Sequence, residues 1–123
     1  EYLRGTGTVS TIGLWGHSMG AAAALLHADR DPSIAGMVLD SPFTDLRKLA
    51  SELCERAGFS YMFAGAAITA VDWAVWSRAG FALGDLSPVA HVSKTFIPAI
   101  FIAGEQDDFI GPHHSRELHE AYA

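Results

Sequence analysis

The sequence has one cysteine, few basic side chains and no long apolar run, and each shortage removes a class of function. Cys54 alone cannot close an internal disulfide, so cysteine usage gives no sign of an oxidising compartment. Eight lysines and arginines stand against 14 acidic residues, a net charge of -6, which disfavours a nucleic-acid backbone or an anionic membrane surface as partner. No uninterrupted apolar stretch reaches spanning length, and Glu1-Tyr2-Leu3-Arg4 has neither the basic start nor the apolar centre of a signal peptide. Internal repeats, low-complexity tracts and linkers are missing too. These absences make the cytoplasm the expected location.

What is present is a packed globular composition. Half of the 123 residues are hydrophobic and 18% are charged, which suits at most one domain. The ends read as interior points of a larger architecture. Glu1-Tyr2-Leu3-Arg4 resembles the last turn of a helix, and the chain stops inside a helical pattern at His119-Glu120-Ala121-Tyr122-Ala123. A fragment of a longer domain is therefore expected.

The most informative stretch runs from Thr11 to Leu26. A short apolar segment leads into Gly16-His17-Ser18-Met19-Gly20, and an alanine-rich run follows. The pattern G-x-S-x-G, with a strand before it and a helix after it, places a serine on a strained elbow that lifts its hydroxyl clear of a sheet edge. Both glycines are expected to be needed because a Cβ at either place would meet neighbouring backbone.

Along the chain, residues 9–15 read as a strand buried on both faces and 19–28 as a buried helix ended by Asp31-Pro32. A second strand covers 34–39. Thr44 or Asp45 caps a helix whose apolar positions Leu46, Leu49, Ala50, Leu53, Cys54 and Ala57 recur at helical spacing, and Gly58 ends it. A further apolar helix covers 66–78, a third strand 96–103, and Pro112 opens the last helix. Alternating strands and helices imply a parallel sheet, with reactive groups at the carboxyl ends of its strands. Ser18 and Asp107 both lie just beyond predicted strands, in the order expected of nucleophile and acid.

Gly16-His17-Ser18-Met19-Gly20, Leu39-Asp40-Ser41-Pro42-Phe43, Leu86-Ser87-Pro88 and Gly104-Glu105-Gln106-Asp107-Asp108-Phe109-Ile110, with Pro112 and His114, resemble the α/β-hydrolase superfamily, in its serine-aminopeptidase-like and serine-hydrolase branch. The resemblance implies part of a three-layer α/β/α sandwich. Its core would be residues 1–43 and 84–123, and a helical cap-like insertion would span about 44–83. It implies Ser18 as nucleophile, Asp107 as triad acid and the Met19 N–H as an oxyanion donor. Two-step hydrolysis of an ester, thioester or amide would follow, on a small-molecule, acyl or peptidyl substrate and without cofactor or metal. The second oxyanion donor would precede Glu1 and the triad histidine would follow Ala123, so the chain alone would be close to inactive. A non-catalytic binding module with the same elbow is the alternative.

The remaining candidates have plainer readings. All six histidines read as surface or helix-terminal, with His114 the least unsuited to replace the missing base. His113 and Glu117, at helical spacing, give only two ligands and do not make a metal site. Asp108 could be the acid if the turn shifts by one, and Asp40 also follows a strand. Asp85 reads as a turn residue, and Cys54 as a core residue. His17, Trp73 and Trp76 are the candidates for substrate contact, although packing of both tryptophans against the sheet is the reading preferred for them.

Overall fold

A computed structural model describes residues 1–122. Its elements are α1 (Tyr2–Gly5), β1 (Gly13–His17), α2 (Met19–Ala28), β2 (Gly36–Asp40), α3 (Leu46–Arg56), α4 (Tyr61–Ala79), β3 (Ala99–Ile102) and α5 (Pro112–Ala121). Three short 3-10 turns between 83 and 94 connect α4 to β3. The strands form one parallel sheet in the order β1-β2-β3. This is an α/β fold in which part of a layered sandwich is formed. Among the described residues no helix is long and apolar enough to cross a membrane.

The register sorts the strand residues into two faces. Leu14, Met37 and Ala99 lie in one cross-strand row, and Gly16, Leu39 and Phe101 in another on the same side. Ala21, Ala24, Leu25 and Ala28 of α2 and Leu118 of α5 join Met37 and Leu39 in the main core on that side. The alanines leave little side chain between α2 and β1, which lets the helix approach the sheet closely. A second cluster, built on Ala22, Phe43, Leu49 and Ile110, ties α3 to α2 and to the segment after β3.

The other face is bare. Trp15, Val38 and Ile100 form a row across it, with Trp15 78% and Ile100 62% exposed. A groove of about 590 Å³ runs along this row. The expectation of a first strand buried on both faces is thus corrected: its flank at Trp15 has no covering layer among the described residues. The strand also begins and ends later than expected, because His17 still pairs with Asp40 while residues 9–12 lie outside the ladder.

Sequence signals explain most boundaries. Asp45 caps α3 by accepting from the Lys48 N–H at 2.9 Å, so of the two candidates Asp45 is the cap. Gly80 closes α4 in the left-handed region at φ 75°, where a side chain would be strained. Helix α4 starts five residues earlier than expected, with Ser60 as its N-cap. Asp85 serves its own short turn, its carboxylate accepting from the Ala82 N–H at 2.8 Å. Cys54 is half-buried and free.

The two faces predict opposite mutational responses. Leu39→Ala, at a fully buried position, should lose about 2–5 kcal/mol of stability. Trp15→Ala on the bare face should change it by less than about 0.5 kcal/mol. Urea denaturation of the two variants checks the contrast.

Candidate active site

Ser18 follows the last residue of β1 and is the N-cap of α2, with φ 53° and ψ -117°. A non-glycine residue in this region carries strain of order 1–3 kcal/mol. An N-cap serine normally turns its hydroxyl onto the helix, but the Ser18 side chain makes no capping hydrogen bond. Its backbone is well fixed, since the Ser18 N–H donates to the Asp40 carbonyl at 2.8 Å and its own carbonyl accepts from Ala21 and Ala22 at 3.0 and 3.1 Å. The N–H of Met19, in the first turn of α2, has no intrahelical acceptor and is free to stabilise an anion there.

The flanking glycines are not equivalent. A Cβ on Gly16 would stand 2.2 Å from the Gly20 carbonyl oxygen and 2.5 Å from the Ala21 nitrogen, so only glycine fits beneath the first turn of α2. A Cβ on Gly20 would meet nothing within 4 Å. The expectation that both glycines avoid collisions holds for Gly16 and fails for Gly20, which is exposed on the open side of its helix.

Asp107 lies in the turn that leaves β3. Its Oδ1 accepts from the N–H groups of Phe109 and Ile110, each at 2.9 Å. The Ile110 N–H is the main cause that holds its pKa below the ordinary carboxylate value; Phe109, the Ser41 hydroxyl and the charge of His17 add to it against a smaller cost of burial. Asp107 is therefore an anion held in one orientation. The backbone carbonyl of Asp108, the neighbouring candidate, accepts a hydrogen bond from the Arg56 guanidinium.

Ser41, quoted in the sequence only as part of Leu39-Asp40-Ser41-Pro42-Phe43, was given no site role there. It follows β2 as Ser18 follows β1, is buried, and has φ 49°. Its N–H donates to the Ile102 carbonyl at 2.8 Å, one step further along the same rim. The signal was a serine between a strand-end aspartate and Pro42, which is common in ordinary turns. Asp40 points one oxygen towards His17 Nδ1 at 3.1 Å and the other towards Ser41 Oγ at 3.4 Å. The carboxyl rim thus brings Ser18, His17, Asp40, Ser41 and Asp107 together.

The other candidates have different surroundings from those expected. Trp73 and Trp76 are 69% and 62% exposed, so the preferred packing of both against the sheet is not what the structure shows. His114 overturns the surface reading: it is 0% exposed, with Nδ1 2.8 Å from Thr44 Oγ1 and 3.3 Å from the Thr44 N–H. Glu52 approaches its Nε2 at 3.2 Å, and burial keeps the His114 pKa below its usual value despite that carboxylate. Thr44, His114 and Glu52 form a hydroxyl–imidazole–carboxylate line, but Thr44 is itself 0% exposed and no substrate can reach it. His91 is paired with Asp29 at 2.7 Å. His113 contacts Glu52, while Glu117 is taken by Lys48 at 2.6 Å, which separates the two residues weighed as ligands.

Comparisons with known proteins agree with the fold. No family model matches the chain. It is similar to the uncharacterized protein YqkD of Bacillus subtilis (strain 168), with 30% identity over 112 residues, covering 89% of this chain and 36% of that protein. The chain thus spans about a third of that relative's length. Among solved structures, the acylaminoacyl peptidase of Pyrococcus horikoshii matches with a TM-score of 0.64 and 15% identity, over 98% of this chain and 19% of the peptidase. That likeness extends to the fold alone: the chain has an α/β core like part of that structure.

The strain at the elbow is measurable. Ser18→Gly should raise stability by about 1–3 kcal/mol by relieving the positive φ, whereas Gly16→Ala should lower stability severely. Thermal denaturation of both checks the pair, and a destabilised Ser18→Gly would show that the serine is not strained. Asp107 adds a pH signature. Because its folded pKa is depressed, its stabilising contribution is present above the unfolded value of 3.8 and is lost as pH falls below that value through the folded pKa. Asp107→Asn should remove that part of the acid sensitivity in a pH series of melting curves.

Proposed function

We propose that the chain supplies the nucleophile and the acid of a serine hydrolase that cleaves an ester, thioester or amide through an acyl-enzyme. The observation that carries this reading is the backbone of Ser18, a strained serine at a strand-to-helix turn whose hydroxyl does no capping. Strain of that size persists only where the surroundings impose it, and it gathers at reactive sites. The hydrolase-like fold and the fixed anion at Asp107 support the reading.

In the proposed reaction the Ser18 Oγ gives its proton to an imidazole and attacks the substrate carbonyl carbon. The carbonyl π pair moves onto oxygen, and the Met19 N–H stabilises the oxyanion. Collapse expels the alcohol, thiol or amine, which takes the proton from the imidazolium. Water then repeats the sequence on the acyl-enzyme and restores the serine. Asp107 orients the imidazole and stabilises its cation.

The reading assigns the imidazole to a histidine outside these 123 residues. His114 has its ring buried against Thr44 and Glu52, and His17 directs Nδ1 to Asp40. Helices α3 and α4, within the 44–83 segment, would act as a cap over the core formed by 1–43 and 84–123. The exposed Trp73 and Trp76 are available there for an apolar substituent, and His17 on the rim for a polar one. A binding module that keeps the elbow without a base is the second reading. It is favoured by one observation: among the described residues no imidazole pairs with Asp107 by hydrogen bond.

A fluorophosphonate probe applied to the full-length protein separates the two. The hydrolase reading expects covalent labelling that Ser18→Ala abolishes. It also expects a fall of about 10⁴ in turnover of an activated ester for Asp107→Asn, as when a triad acid no longer holds the base in its working tautomer. A protein that takes no label with Ser18 intact would be the binding module.

A further inference from the structure

Outside the serine and aspartate pair, one carboxylate and two imidazoles converge at the start of α5. Glu52 Oε2 lies 3.1 Å from His113 Nε2 and 3.2 Å from His114 Nε2. The three donor atoms all fall within 4.8 Å of one another. The close approach to His114 is misaligned for a hydrogen bond: neither His114 Nε2 nor Glu52 Oε2 has a hydrogen-bond partner among the described residues, although His114 is 0% exposed. An unpaired polar atom at such depth is costly, so the pocket favours whatever can satisfy it.

We propose that Glu52, His113 and His114 form a binding site for a divalent transition metal, with Zn²⁺ the ion that fits best. Bonds of about 2.0–2.2 Å arranged tetrahedrally set neighbouring ligand atoms roughly 3.3 Å apart, close to the separations observed. Two imidazoles and one carboxylate suit Zn²⁺ over Mg²⁺ or Ca²⁺, which take oxygen ligands. Both rings ligate through Nε2, and water completes the tetrahedron. His113 is half-exposed and gives the ion its entry path.

The surroundings of His114 suit this role. A ligating histidine usually donates its other N–H to an oxygen that fixes the ring, and Thr44 Oγ1 stands 2.8 Å from Nδ1. On binding, the ring proton moves from Nε2 to Nδ1 with no net release, and the longer contact from the Thr44 N–H at 3.3 Å is given up. Positive neighbours oppose the ion and moderate its affinity. Arg56 is 3.7 Å from Glu52 Oε2, Lys48 acts on both Glu52 and His114, and the two histidines sit in the first turn of α5. The consequence is structural: the ion ties α3 to α5 directly after the turn that holds Asp107.

Calorimetric titration of the chelator-treated protein with ZnCl₂, with Co²⁺ absorption as a spectroscopic readout, tests the site. One Zn²⁺ per chain is expected, with Mg²⁺ failing to compete. His113→Ala alters an exposed residue and should leave the circular dichroism unchanged while weakening Zn²⁺ binding by about 100-fold or more, since loss of even an outer partner costs 10–100-fold. Glu52→Gln should weaken it comparably. Ser18→Ala should bind Zn²⁺ as the wild type does, which separates this site from the proposed hydrolysis. Absence of saturable binding, or binding unchanged in both His113→Ala and Glu52→Gln, would overturn the proposal.

Discussion

The structure depends on how closely α2 approaches β1. Only a hydrogen atom at Gly16 lets the first turn of α2 sit against the strand, with the Gly20 carbonyl where a side chain would otherwise begin. That approach forces the chain to reverse in a single residue, and Ser18 absorbs the reversal with its positive φ. The core follows from the same constraint. Ala21, Ala24, Leu25 and Ala28 can lie on Met37 and Leu39 because the helix axis is drawn to the sheet at its first turn. Packing and backbone geometry are thus one arrangement: the contact that brings the helix down also places the serine at the turn.

A second node stabilises the other side of the rim. His114, inside α5, bonds to Thr44, which directly precedes the cap of α3, and faces Glu52 within α3. The segment leaving β2 and the segment leaving β3 are therefore joined through one buried ring. Asp107 lies between them, with Ile110 both donating to its carboxylate and filling the small core beside Leu49 and Phe43. The acid turn is held by packing on one side and by hydrogen bonds on the other. This explains why a part-exposed carboxylate keeps one orientation.

Local chemistry made half of this arrangement legible. The elbow, the Asp45 cap, the Gly58 stop and Pro112 at the first position of α5 each follow from neighbouring residues alone, and the structure bears them out. What escaped was long-range or one-sided. Thr44 and His114 are 70 positions apart, so nothing near either residue signals a buried pair. Helical spacing set only Glu117 beside His113, a pair rightly rejected as a metal site, and nothing local signalled that Glu52 of another helix faces His113 while Lys48 binds Glu117. The apolar, non-alternating composition of the first strand suggested cover on both faces. Composition records what a strand can tolerate, not which neighbours these residues supply.

The bare face and the exposed side of α4 bear on how the elbow is held. A parallel sheet is stable in water when both faces are covered, yet Trp15 and Ile100 stand open on one face and Phe63, Trp73 and Trp76 on α4. Among the described residues, contacts on one side of the sheet balance the strain at Ser18 and at Ser41. The elbow is accordingly only as firm as the α2 side of the sheet, where Leu25, Leu39 and Leu118 are each 0% exposed. Loosening there would act on φ at Ser18, which is held by the approach of helix to strand together with the hydrogen bonds to Asp40, Ala21 and Ala22. The conformation of such a serine is thus a property of the core beneath it as much as of its immediate neighbours.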